Sequence, residues 1–400
     1  SAAMIEAILA LGTDPAREPE LLQILAAHGA AVVASAGKGD SALVARAEAE
    51  VSADPAGRIA FDGRASATVT AAGRSWAAGR FEIPMIWSLR ERAQRIRAQS
   101  PPAGEGRARL WVIDGEGPAT DIAGLQATAP AGCLFQAASQ FNCLESPGPR
   151  VVPVARYLSD PTQGPRATVS AFPATLVRHY AAPSTDGRRF TQETRGEQID
   201  LLADVFPRSV ARVNNGYFDT ECIHDDEAVL EALGERFDAI RVGLHDDVEV
   251  ALGYNWDGGV EGERRVAQVL TSTLAGGGYS DRSITSGTLR EVSRQLLRGA
   301  YLGTLLATVA TGRRVAVLTL IGGGVFGNAP EVIWDSILWA LDEIDRVAPG
   351  PLEVFVNGRQ LARSIPMAEI AAAARARGGV ALTLPRQSVH GGPASIAVHR

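Results

Sequence analysis

The stretch "VAVLTLIGGGVFGNAPEVIWDSILWALDEI", Val315 to Ile344, sets the architecture of the chain. Its first seven residues are all apolar or Thr, the pattern of a strand buried on both faces. A glycine-rich turn follows. Ile333, Ile337, Leu341 and Ile344 then recur at helical spacing. Upstream, "TLREVSRQLLRGAYLGTLLATVAT" puts Val292, Leu296, Ala300, Leu305 and Thr308 along one stripe, and Gly312 closes that helix. Downstream, "LEVFV" after Pro351 reads as one more strand. Helix, strand, loop, helix, strand is the grammar of a mostly parallel sheet.

The glycines at 322, 324 and 327 fit G-x-G-x-x-G, the dinucleotide fingerprint. That fingerprint also needs an acidic residue closing the next strand, to hold the ribose hydroxyls. Here the next strand closes on Asn357 and Gly358, and Glu353 lies at its beginning. A nicotinamide-dependent oxidoreductase is therefore disfavoured. The loop still suits an anion. Its backbone N–H groups and the following helix dipole attract phosphate. Asn328 is the expected N-cap of that helix, with Glu331 at capping-box spacing. A tight strand-to-helix turn without a ligand is the alternative.

Bulk properties bound the remaining choices. The 400 residues are 46% hydrophobic and 21% charged, normal for a globular protein. Lys and Arg total 39 against 45 Asp and Glu, a net charge of −6 that argues against a general nucleic-acid binder. Cys133, Cys143 and Cys222 form neither a disulfide framework nor a C-x-x-C pair, which suggests a reducing cytoplasm. No apolar run reaches membrane-spanning length, and the start lacks the basic region of a signal peptide. No membrane partner is expected.

The expected fold class is α/β, with a mixed, mostly parallel central sheet flanked by helices and a smaller N-terminal α+β domain. In residues 1–100, "PELLQILAAHG" reads as a helix stopped by Gly29 and "AAVVAS" as a buried strand. Hairpins follow, and then a polar helix. "SPPAGEG", Ser100 to Gly106, has linker composition. The main domain is placed at 107–360, with a polar insertion over about 181–235 and a C-terminal extension over 361–400.

An apolar strand, "GVFG" and a helix together resemble the second ligand loop of macrodomains, which are ADP-ribose-binding modules. Gly324, Val325, Phe326 and Gly327 match the core of that loop, and Gly323 stands where the family often has Ser or Thr. "TDIAGL" supplies Asp121, Ile122 and Leu125 in the order the family requires, with Thr120 replacing a glycine. "FQAASQFN" stands in the place of the family's Asn-Ala-Ala-Asn strand end. The resemblance implies that Asp121 contacts the adenine amino group. It also implies that Gln136, Ser139 or Asn142 faces the distal ribose. "DPTQGPRATVSAF" stands in for a glycine-rich first loop, which would bring Asp160, Thr162, Gln163 and Gly164 to the ligand. The diphosphate would lie between that segment and Gly322–Asn328.

The leading expectation is binding of ADP-ribose or a related nucleotide diphosphate, with hydrolysis at the distal ribose. Asn142, Gln136 or Gln163 would orient water or ribose hydroxyls, and Asp160 and Asp247 are candidate general bases. A non-catalytic ADP-ribose reader is the second reading. No cofactor and no metal are expected. His245, Asp247 and Glu249 share one side of a strand by the period of two, a pattern open to a metal or acid–base role or to a plain polar strand end. "NNGY", Asn214 to Tyr217, signals a turn, and Tyr217 is weighed there as a stacking or packing residue. "SAGKGDS" around Lys38 lacks the P-loop glycine and hydroxyl and is rejected as a nucleotide site. "VHGGP" at 390–393 reads as a tail segment without a role.

Overall fold

The computed structural model describes residues 4–35, 41–99, 106–256, 260, 262–384 and 396–400. The segments around Lys38 and His390, and most of the expected linker, lie outside these residues. Three strands open the sheet: β1 (Ile59–Phe61), β2 (Ser66–Ala71) and β3 (Arg74–Glu82). Next come β4 (Ala108–Gly115) and β5 (Cys133–Ala138). Two short ribbons follow, β6 (Ala182–Pro183) with β7 (Arg189–Phe190), and β8 (Val213–Asn214) with β9 (Tyr217–Phe218). The remainder are β10 (Gly243–Glu249), β11 (Arg265–Thr271), β12 (Val315–Thr319), β13 (Leu352–Asn357), β14 (Ala381–Leu384) and β15 (Ala397–His399).

The main sheet runs β1-β2-β3-β10-β11-β5-β12-β13-β4-β14-β15. Every pair from β11 to β14 is parallel, and the pairs outside that span are antiparallel. The expected mixed sheet is present, but five of its pairs are parallel and five antiparallel, so it is parallel in its middle rather than mostly parallel. The glycine-rich stretch leaves β12, which lies inside the parallel run beside the middle strand β5. Residues on either side of the expected linker share this sheet, because β3 pairs with β10 from Leu244↔Glu82 to Asp246↔Arg80. A second apolar cluster joins Val44, Val51, Val69 and Trp76 to Phe172, Leu176 and Trp256. Residues 361–400 contribute β14 and β15 at the far edge.

Helices cover both faces. Buried Gln136 of β5 donates to Thr304 Oγ1 in the helix Gly287–Ala310, at 3.1 Å. Gln268 of neighbouring β11 points the other way, donating to Ala167 O in the helix Gln163–Ser170, at 2.9 Å. The helix Pro330–Val347 buries Ile333, Ile337, Leu341 and Ile344, the stripe read from the sequence. Each such side chain contributes roughly 1.5–3 kcal/mol of burial.

Two local expectations are corrected. "AAVVAS" is not a strand: one helix runs from Glu18 to Ser35, through Gly29. Leu21, Leu25, His28 and Val32 are buried along it at helical spacing, so the stripe outweighs one glycine's propensity cost. Asn328 is not the N-cap either. The helix begins at Pro330 behind Ala329, and Glu331 pairs with Arg290. Proline at the first helical position needs no N–H partner.

Candidate functional site

Parallel strands end on one rim, and the connections diverge there between β5 and β12. Such a switch point leaves a crevice at the carboxyl ends of the strands. Here it is a cleft of about 470 Å³, lined by Ser139 and Glu145 after β5, Thr162 to Pro165, Thr319 to Phe326, and Asn357, Arg359 and Gln360.

The glycine loop forms one wall. Gly322 and Gly327 take φ of 69° and 66°, the left-handed region that glycine enters freely. Asn328, freed from capping, ties the loop shut. Its side-chain nitrogen donates to Leu274 O at 2.9 Å and Gly322 O at 3.2 Å, and its oxygen accepts from Ser293. Tyr301 clamps the entry, donating to Thr319 O at 3.0 Å and accepting from Ile321 N at 3.1 Å. Among the described residues, the N–H groups of Gly322, Gly324, Val325 and Phe326 have no partner. A Cβ on Gly324 would meet nothing within 4 Å, so this backbone is open to a ligand.

The opposite wall is the start of the helix Gln163–Ser170. The N–H groups of Gln163 and Gly164 likewise have no partner among the described residues. Gln163 Oε1 accepts from Ile122 N at 2.9 Å, which leaves Nε2 buried without a partner. Two sets of free amides thus line one cleft, an arrangement suited to an anion.

Beyond β13 the chain turns through Arg359 and Gln360, both at positive φ, 35° and 78°. Asp114 holds this turn by accepting from Leu361 N at 2.8 Å and Ala362 N at 3.1 Å. Asn357 donates to Thr120 O at 2.9 Å, while its Oδ1 is buried and unpartnered. Thr319 Oγ1 is also unpartnered. Buried polar atoms in native proteins normally have partners, so these orphans in a cleft point to a ligand.

The other end holds a carboxyl group that the sequence reading missed. Glu145 is 8% exposed and lines the cleft, and its carboxyl accepts no hydrogen bond from the described residues. A Cβ added to Gly164 would lie 2.5 Å from Glu145 Oε1, which shows how closely the two walls meet. Burial pushes the Glu145 carboxyl well above its ordinary value, and the nearby Asp160 charge adds to the shift. Arg178 opposes it from behind. Fully buried, Arg178 donates to Cys143 O at 3.2 Å and contacts His245 Nδ1 at 3.0 Å.

Of the residues singled out in the sequence, Ser139, Gln163, Gly164 and Gly322 to Phe326 line the cleft. Asp160 lies just behind, its carboxylate accepting from Thr162 N at 2.9 Å. Four other candidates sit elsewhere. Gln136 is too deep in β5 and is spent on Ala300, Thr304 and Thr319 N. Asn142 is buried in a turn, donating to Gln198 and accepting from Leu144 N. Asp121 is fully buried, caps its own helix through Gly124 N and pairs with Arg166, which lies over Trp256. Asp247 is exposed, paired with Arg265, and near the end of β10, on the opposite rim.

The supposed His245–Asp247–Glu249 row does not form. A bulge shifts the register between His245 and Val248, with Asp247 at φ 59°, so the period of two fails. His245 faces Arg178, and Glu249 accepts from Ala77 N at 2.9 Å. Among the described residues no cluster could hold a metal ion. Burial pushes the Cys133 and Cys143 thiols up to about 12, which removes them as nucleophiles. Asp225 caps the helix Asp226–Glu235, so the acidic run there is structural.

No family model matches this sequence, and no curated protein matches it. Among solved structures, the chain is similar to apo poly(ADP-ribose) glycohydrolase from Deinococcus radiodurans, at 15% identity over 74% of this chain and 91% of that one, with a TM-score of 0.38. It is also similar to the enzyme from Thermomonospora curvata, at 14% identity over 84% of this chain and 98% of that one, with a TM-score of 0.37. At such scores these likenesses assign no activity to this chain. Its fold rests on its own strand register.

Proposed function

We propose that the cleft binds ADP-ribose or a related nucleotide diphosphate, and that the protein hydrolyses an ADP-ribosyl linkage at the distal ribose. The observation that carries the reading is the pairing of two free-amide walls, Gly322–Phe326 and Gln163–Gly164, in one cleft. The volume suits a nucleotide-sized ligand. The macrodomain-like loop "GVFG" after β12 supports the same ligand.

The diphosphate lies on the loop amides. The base lies toward Asn357, Arg359 and Gln360, where Asn357 Oδ1 offers an acceptor to an exocyclic amine. The distal ribose lies toward Ser139 and Glu145. Glu145 holds a proton in its apolar surroundings and gives it to the leaving group, and Asp160 takes a proton from the attacking water. Burial raises the Glu145 carboxyl, which suits the acid role. The partnerless Glu145 carboxyl favours this hydrolase over a non-catalytic reader, which has no use for it. Asn357 standing where a ribose-binding acid is required continues to disfavour an NAD-dependent oxidoreductase.

Calorimetry with ADP-ribose and with NAD tests the ligand. ADP-ribose is expected to bind and NAD to bind more weakly. Gly324→Asp is expected to lower ADP-ribose affinity by about 100-fold, about 2.7 kcal/mol, without moving the melting temperature, because its Cβ enters open space. Absence of ADP-ribose binding by the wild-type protein would overturn the reading.

A further inference from the structure

The two ends of the cleft differ in chemistry. Among the described residues that line it, Arg359 is the one cation and Glu145 the one carboxyl. They stand on opposite sides of the loop that follows β12. The Arg359 end and the loop amides suit a diphosphate. The Glu145 end does not, and Asp160 adds a second acid close behind it.

Aromatic rings flank the same end. Tyr217, just after the Asn215–Gly216 turn, stacks on Tyr279 with ring centroids 5.4 Å apart and 17° between planes. Phe326 of the glycine loop meets Tyr279 edge-on at 5.2 Å. Tyr217 donates to Ser146 O at 2.8 Å, which fixes the pair beside Glu145. Tyr279 is 38% exposed and Val325 57%, large apolar side chains left open at the mouth. Gly276 N donates to Phe326 O at 2.9 Å, which ties the segment bearing Tyr279 to the glycine loop. Thr319 Oγ1, 7% exposed and unpartnered, marks the cleft floor as a ligand surface independently of the acids.

The Asp160 carboxylate, with tyrosine rings nearby, favours a cation through charge and through the ring quadrupole. We infer that the leaving-group side of the cleft receives a guanidinium, so that the substrate is an ADP-ribosyl group N-linked to an arginine side chain. This rests on the ADP-ribose reading above. In the reaction the bond from the anomeric carbon to nitrogen breaks, and its electron pair leaves on the guanidine. Water oxygen bonds to that carbon and loses a proton to Asp160. The guanidine takes the Glu145 proton and departs as guanidinium, and solvent returns the proton from Asp160 to Glu145.

The test is release of free ADP-ribose from three peptides: arginine-linked, glutamate ester-linked and serine-linked. The arginine-linked peptide is expected to show at least a tenfold higher kcat/KM than either other. Tyr279→Leu keeps the apolar contact and removes neither the proposed acid nor the base. It is expected to raise KM for that peptide by roughly tenfold while calorimetric ADP-ribose affinity stays within twofold. Preference for the ester or serine peptide, or an unchanged KM in this variant, would overturn the guanidinium site while the ADP-ribose reading stands. Failure of the wild-type protein to bind ADP-ribose would remove both.

Discussion

In the proposed mechanism, Glu145 sets function against stability. Its carboxyl is raised by burial, so between its ordinary value and its raised one the folded state keeps a proton that the unfolded state releases. Stability therefore falls as pH rises through that window. Glu145→Gln removes the ionisable group at nearly constant shape. It is expected to stabilise the fold at pH 8 by on the order of 1 kcal/mol and to abolish turnover while ADP-ribose still binds. Denaturation of wild type and variant at pH 5 and pH 8, with calorimetry beside it, checks this; a variant no more stable than wild type at pH 8 would contradict it. Nothing local in "FNCLES" revealed the residue. Its one signal was a carboxyl in a stretch that is otherwise apolar or small, and only the crossing of Gly164 gives it a cleft to face.

At the level of elements, the glycine loop is the part most legible in sequence and most altered in meaning. Glycine spacing foretold a phosphate-sized turn after a buried strand, and the strand and turn are there. The capping role was misassigned, because Ala329 and Pro330 suffice to start the helix. Asn328 instead closes the loop onto Leu274, Gly322 and Ser293. Those partners come from distant segments, so no local pattern encodes them. Asn328→Ala is expected to cost about 1–3 kcal/mol by leaving buried groups unpaired and to weaken ADP-ribose binding in step. Urea unfolding and calorimetry on one preparation would show both, and unchanged affinity would mean the loop holds its shape without this residue. The bulge in β10 teaches the same lesson. A period of two put three titratable residues on one face, and the extra residue at Asp247 undid it.

Over the whole molecule, buried histidines contribute to the acid limit of stability. Burial lowers His28 and His179 to about 4 from 6.5. Their neutral forms support the fold above 6.5, and that support is lost as pH falls toward 4, because the unfolded chain takes up protons first. His28→Gln together with His179→Gln is expected to flatten the acid limb of stability between these values, by up to about 3 kcal/mol for each site. Melting curves from pH 7 to pH 4 measure it, and an unchanged slope would place the acid sensitivity elsewhere. The sequence by itself determined the α/β class, the parallel run around β12, the main helical stripes and the glycine loop. All of these follow from periodicity and turn chemistry within a short window. Tertiary structure alone decided that β1 to β3 extend the same sheet through the β3–β10 pairing. It alone sent Gln136 and Asn142 into the interior and brought Glu145, Gln163 and Asn357 to one cleft. Sequence spacing fixes which way a side chain points along its own element. Which segments meet at a strand end depends on strand order, and that is settled by packing the whole chain.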